Sequence, residues 1–278
     1  MSSPSSSQSS KKTASFLSLE GRISIVTGAS RGIGAATALE LAKLGSAVAL
    51  LDVDEAEAAA TAQRIATESG GRTHAYKVDV TDRPGLRATI DWIAKEFGAI
   101  DHLVNNAGVQ FVNPLETFPD DKWDFVTGID LDGVFNATKA VWPHLKARGR
   151  GRIVNLASVQ GLIATGYKPA YVASKHGVIG LTRATALEGA TIGITANAVC
   201  PGAVTTELVK GQAPDLIRSY GSGISEEEAL ARAFLGNMPT RRFIEPIEVA
   251  QLIAYLCSDA ARSITGAAIA IDGGWTAH

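Results

Sequence analysis

The apolar positions of this chain fall into short runs at regular intervals, with longer stretches of helical period between them. The runs are Ile23–Thr27, Ala47–Leu51, His74–Val78, His102–Asn105, Arg152–Leu156, Ile194–Val199 and Ala267–Ile271. Most are apolar or β-branched throughout rather than alternating, as strands covered on both faces are. Between them, Ala35–Leu44, Glu55–Glu68, Arg87–Phe97 and Tyr171–Glu188 carry the Ala/Leu content and spacing of helices. Strand–helix–strand alternation of this kind predicts an α/β fold, a parallel sheet with helices on both faces.

No linker composition interrupts 19–278, so that region reads as one domain. Thr206–Thr240 fits the alternation worst: it mixes Gly, Pro and a Ser-Glu-Glu-Glu helix start with no strand. A long insertion in a compact fold is usually functional, and 206–240 is read as a substrate-binding lid. Residues 1–10 hold seven serines and one proline, so 1–18 reads as a disordered tail with too little apolar surface to offset ordering. An organellar transit peptide would carry Arg on an amphipathic helix, and the first arginine is Arg22.

Composition removes several function classes. Among 278 residues, 26 Lys+Arg against 28 Asp+Glu leave no basic field for a phosphate backbone, so no nucleic-acid partner is expected. No apolar stretch approaches the roughly 18 residues of a membrane span. Cys200 and Cys257 alone make neither a disulfide framework nor a thiolate zinc site, and a reducing cytoplasm fits them best. The five histidines lack ligand-like spacing, and no metal is expected.

The chemistry begins after the first strand. Gly28, Gly32 and Gly34 stand in a G-x-x-x-G-x-G turn opening the first helix, where backbone N–H groups can meet a pyrophosphate. Asp52 ends the second strand, placed to bind the adenosine ribose hydroxyls and repel a 2′-phosphate, which favours NAD over NADP; Arg31 pulls the other way. Asp79, read as ending the third strand, could take the adenine amine, with Val80 beside it. Asn105, Asn106, Ala107 and Gly108 follow the fourth strand, where open α/β sheets bind ligands.

Tyr171 alone among the tyrosines has a lysine, Lys175, four residues on, the spacing of one helix face. An ammonium there should lower the phenol pKa and make it a usable acid and base. Ser158 follows the fifth strand and could donate to a substrate oxygen. As a nucleophile it lacks both the G-x-S-x-G elbow and a histidine placed as its base.

Together, Thr27-Gly28-x-x-x-Gly32-x-Gly34, Asn105-Asn106-Ala107-Gly108, Ser158, Tyr171-x-x-x-Lys175 and Pro201-Gly202 with Thr205 resemble the short-chain dehydrogenase/reductase family across 19–278. The resemblance implies a single-domain Rossmann fold, a doubly wound sheet of seven parallel strands, usually assembled as a homotetramer or homodimer. It makes Tyr171 the acid/base, Ser158 the orienter of the substrate oxygen, and Lys175 the holder of the nicotinamide ribose. Ser30, Ile33, Val204 and Thr205 join the cofactor contacts, Thr205 at the carboxamide.

Within the family, the Asn105–Gln110 run, the Phe118–Trp123 segment, Lys168, Leu208-Val209 with Gln212, and Gly273–Thr276 are similar to the bacterial D-3-hydroxybutyrate dehydrogenases. That likeness implies a substrate carboxylate held by Gln110, Lys168 and Gln212. Three positions depart from it. Gln160 stands where the group has His, Ala203 replaces a bulky aromatic and should enlarge the pocket, and Asp130 stands where the family has Asn in a proton relay. The expectation is an NAD-dependent dehydrogenase interconverting (R)-3-hydroxybutyrate and acetoacetate, its partner a small-molecule substrate. The rivals are a dehydrogenase of a neutral alcohol, sugar or longer 3-hydroxyacyl substrate, and a dinucleotide-binding sensor with weakened catalysis.

Overall fold

A computed structural model describes residues 17–220 and 223–277. In chain order the elements are β1 (Ile23–Thr27), α1 (Gly32–Lys43), β2 (Ala47–Asp52), α2 (Glu55–Ser69), β3 (Thr73–Lys77), α3 (Arg83–Phe97) and β4 (His102–Asn105). Next come α4 (Asp120–Thr127), α5 (Gly133–Arg148), β5 (Gly151–Leu156), α6 (Pro169–Gly189) and β6 (Ile194–Pro201). The chain closes with α7 (Glu207–Lys210), α8 (Ala213–Tyr220), α9 (Glu226–Phe234), α10 (Pro246–Cys257) and β7 (Ala268–Ile271).

The strands form one parallel, seven-stranded sheet in the order β3-β2-β1-β4-β5-β6-β7. Alternate residues of each strand supply two cores. Val26, Val48, Leu50, Val104, Val154 and Val199 pack with Leu41 of α1 and Ile253 of α10. Ile25, Ala49, Leu51, Leu103 and Ile153 pack on the other face with Ile90 of α3 and Val141 of α5. Burial on both sides is why the runs read as continuously apolar. The chain leaves β1 in one direction along the sheet and resumes at β4 in the other, so a crevice opens beyond the carboxyl ends of these two strands.

Strand positions agree with the sequence expectation to within a residue or two, and α2 begins at Glu55 as expected, while α1, α3 and α6 begin earlier than their apolar periodicity does. Asp82 caps α3 by accepting from Gly85 N–H, and Pro84 fits its first turn, so the helix starts ahead of Arg87. Residues 1–16 of the expected tail lie outside the described residues; Leu19 is already buried, its N–H bound to Leu44 O at 2.8 Å. Between β6 and β7 the 206–240 segment is mostly helical (α7 to α9), with Ser225 capping α9 at the Ser-Glu-Glu-Glu start. Among the described residues, no helix is long and apolar enough to cross a membrane.

Candidate active site

The crevice holds a cleft of about 510 Å³. Its floor is the β1–α1 turn. Gly28 has φ 62°, and a Cβ there would stand 2.7 Å from Ala107 Cα, so only glycine lets this turn lie against the β4 loop. Asn106 stitches the two together, donating from Nδ2 to Thr27 O and Gly28 O, while Thr27 Oγ1 accepts from Asn106 and Ala107 N–H. Gly34 does not line the cleft. A side chain there would strike Gly28 O, so glycine at this position lets the helix pack on the turn.

At one end of the cleft, Asp52 accepts from Ser30 N–H at 2.9 Å and Asp54 N–H at 3.1 Å. These bonds fix the carboxylate at the rim, each oxygen keeping a free lone pair. Arg31 turns to Asp54, 3.0 Å away in an exposed pair. Asp79 lies two residues beyond β3 rather than at its end, and its carboxylate accepts from Thr81 N–H and Oγ1. Val53 and Val78 complete this end, with Val80 beside Asp79.

The other end carries the candidate chemistry. Ser158, Tyr171, Lys175 and Asp130 line the same cleft wall, with Gly108, Pro201, Gly202 and Val204 around them. Lys175 Nζ lies 5.4 Å from the Tyr171 ring centre, donates to Leu156 O at 3.1 Å, and pairs with Asp130 Oδ2 at 3.2 Å. Asp130 is fully buried. It sits in a π-helical turn, Gly128–Asp132, that joins α4 to α5 and aims it inward, and Val109 N–H donates to its Oδ1 at 2.7 Å. Burial pushes the Tyr171 phenol up; Lys175 and a Ser158 hydrogen bond pull it down, Asp130 pushes it further up, and the net direction is up. The ammonium thus acts with the expected sign, but burial and Asp130 outweigh it. Burial pulls Lys175 down, yet Asp130 and Tyr171 more than offset this and hold it charged.

The Thr205 hydroxyl donates to Glu245 at 2.8 Å, and its neighbour Thr206, the N-cap of α7, is the residue of the pair that lines the cleft. In a Thr-Thr pair the sequence leaves the choice open, although a Thr followed by Glu at a helix start is a capping signal. Ile129 and Glu207 also line the cleft and were not read from sequence, and Leu208 and Val209, noted there only as marks of the resemblance, line it too.

Of the six expected substrate contacts, Ser158 and Tyr171 line this cleft, while Gln110, Gln160, Lys168 and Gln212 lie outside its lining. Lys168, the residue before α6, is buried, and Nζ donates to Gln212 Oε1 at 3.1 Å, 5.6 Å from the Phe234 ring centre. Burial pushes its ammonium down to about 8. Gln160 is also buried; its N–H donates to Ser158 Oγ at 3.2 Å, and its Oε1 has no partner. Gln110, half-buried, bonds to none of these. Ala203 packs in the core and does not line the cleft.

The residues fit a dinucleotide. Side-chain-free Gly32 and Gly108 face cleft walls 3.4–3.5 Å from where a Cβ would stand, and the first turn of α1 holds no acid to repel a phosphate. A phenol and a hydroxyl beside such a groove suit proton transfer at a carbinol oxygen, which is the province of dinucleotide-dependent oxidoreductases.

Known proteins agree. A family model described as Enoyl-(Acyl carrier protein) reductase matches residues 28–276. The D-beta-hydroxybutyrate dehydrogenase of Rhizobium meliloti is 41% identical over 92% of this chain and 99% of its own length. The protein of the same name from Cupriavidus necator is 39% identical over 94% and 100%. The crystal structure of levodione reductase superposes with a TM-score of 0.88 at 33% identity, covering 93% of this chain and 98% of that one. The chain belongs to the short-chain dehydrogenase/reductase family and is an oxidoreductase acting on CH–OH groups.

Proposed function

We propose that the protein is an NAD-dependent dehydrogenase of a small 3-hydroxy acid, interconverting (R)-3-hydroxybutyrate and acetoacetate. The observation that carries the substrate class is Lys168. It is a buried ammonium with no carboxylate within ion-pair distance among the described residues, facing the amide oxygen of Gln212 and the Phe234 ring. A buried cation without its anion is costly, and a substrate carboxylate would relieve that cost. Gln160, with an unpartnered buried oxygen beside Ser158, and Gln110 complete the polar lining assigned to the substrate.

Nicotinamide dinucleotide, when bound, supplies the hydride chemistry. Gly28, Ser30, Arg31, Gly32, Ile33, Asn106, Ala107, Gly108, Pro201, Gly202, Val204 and Thr206 would hold it. Asp52, fixed at the rim, and Arg31, neutralised by Asp54, support NAD over NADP. Tyr171 gives or takes the proton at the substrate oxygen, Ser158 orients that oxygen, and Lys175 holds the ribose hydroxyls. Phe135 on α5 and Leu187 on α6, both exposed, support assembly as a homotetramer or homodimer, and two free, buried cysteines support a reducing cytoplasm.

Lys168→Ala is expected to raise KM for 3-hydroxybutyrate about 10- to 100-fold, the loss of one charge-assisted hydrogen bond. KM for a neutral secondary alcohol should stay within about twofold. An equal change on both substrates would remove the carboxylate assignment. Equal kcat/KM with NADP in the same assays would remove the Asp52 assignment.

A further inference from the structure

Asp130 is not needed to build the fold around it. Its π-helical turn is closed by backbone hydrogen bonding from Gly133 N–H to Gly128 O, and an uncharged side chain could accept from Val109 N–H equally well. A buried carboxylate costs free energy unless something faces it. Burial pushes the Asp130 carboxyl above its ordinary value, while the Lys175 ammonium, 3.2 Å from Oδ2, and the Val109 N–H bond to Oδ1 pull it back; the ion pair, without an aligned hydrogen bond at Oδ2, is what faces the carboxylate with a cation. The remaining groups around the Lys175–Tyr171 couple carry no fixed charge: Ser158 beyond β5, Cys200 on β6 and the Leu156 carbonyl. The local balance is therefore one cation and one anion, where a Tyr–Lys couple alone would hold one cation.

We propose that Asp130 is a positioning residue that neutralises Lys175 and so keeps Tyr171 a proton donor at neutral pH, setting the site for reduction of the ketone rather than oxidation of the alcohol. The inference rests on Tyr171 being the acid/base. A lysine with full charge favours phenolate, the form that takes a proton from an alcohol; a lysine paired at 3.2 Å favours phenol, the form that gives one to a carbonyl oxygen. Burial of the phenol acts in the same direction.

The test is an ultraviolet difference titration of tyrosine ionisation in the cofactor-free enzyme, with Tyr171→Phe as the reference that isolates one phenol. In the unsubstituted protein Tyr171 should ionise at or above the ordinary value near 10. In Asp130→Asn it should ionise about one to three units lower. The acid limb of kcat for alcohol oxidation should move by the same amount, and the ketone-reduction rate at neutral pH should fall relative to oxidation. An unchanged or higher ionisation in Asp130→Asn overturns the proposal. If that variant does not fold, ionisation of Tyr171 well below 9 in the unsubstituted protein overturns it alone. Full turnover by Tyr171→Phe would sink the acid/base reading itself, a result distinct from either.

Discussion

Two fully buried carboxylates lie at opposite ends of the same sheet, and they are built for different purposes. Asp101, at the amino end of β4, accepts from Ile23 N–H at 3.1 Å and Arg148 Nε at 3.2 Å, with Arg150 at 3.5 Å and Arg22 at 3.9 Å. Asp130, at the carboxyl end, faces one N–H and one ammonium, with a phenol close behind. Guanidinium groups do not lose their protons, so the Asp101 cluster holds a fixed charge pattern and fastens loops together. Lysine and tyrosine do titrate, so the same buried charge at the other end adjusts a proton's affinity. What surrounds a buried carboxylate, rather than its burial, separates a staple from a tuning element.

That contrast breaks most visibly at Asp101. Asp101→Asn should cost about 3 kcal/mol, the low end for breaking a buried pair, because its arginines reach solvent and can turn outward. Urea midpoints would show it, while the pH profile of turnover should stay in place. A profile that moved would mean the two ends are coupled and the distinction is false.

Next in size is His102, which sits in line across the sheet with Ser24 on β1, Arg152 on β5 and Thr195 on β6. Its Nδ1 lies 2.9 Å from Ser24 Oγ, and complete burial pushes its pKa down to about 4. A base whose pKa falls on folding contributes stability that is whole above the unfolded value. That stability should drain away as pH drops from about 6.5 to about 4, on the order of 3 kcal/mol in all. His102→Gln should flatten this slope in urea titrations between the two pH values; a slope that survived would place the acid sensitivity elsewhere.

The two ends were not equally legible in the sequence. The strands were, because burial on both faces writes an unbroken apolar run, and the glycine turn and the Tyr171–Lys175 spacing are local. The register that lines up Ser24, His102, Arg152 and Thr195 is not local: a run of apolar residues marks a strand without saying which residue of the next strand it meets. Asp130 could be seen as an odd residue, but its burial follows from a π turn that no periodicity announces. The meeting of Lys168 with Gln212, 44 residues apart, entered only through resemblance. That Thr206 and not Thr205 lines the cleft was not legible either, because the two differ only in which way the chain turns into α7.

The smallest expected effect is at Asp259, which sharpens the comparison by sharing arginines with Asp101. It pairs with Arg22 at 3.2 Å, Arg152 at 3.3 Å and Arg150 at 3.5 Å, but its side chain is 61% exposed. Water already screens these contacts, so Asp259→Asn should cost no more than about 1 kcal/mol despite its three partners. Arg152 would keep its bond to Gly151 O at 2.9 Å. The cost should shrink further in high salt, whereas that of Asp101→Asn should hardly change, since the Debye screening that weakens exposed pairs does little to buried ones. Urea midpoints for both variants at low and high salt decide it. A large, salt-insensitive loss at Asp259 would mean that partner number, and not burial, sets the strength of this cluster.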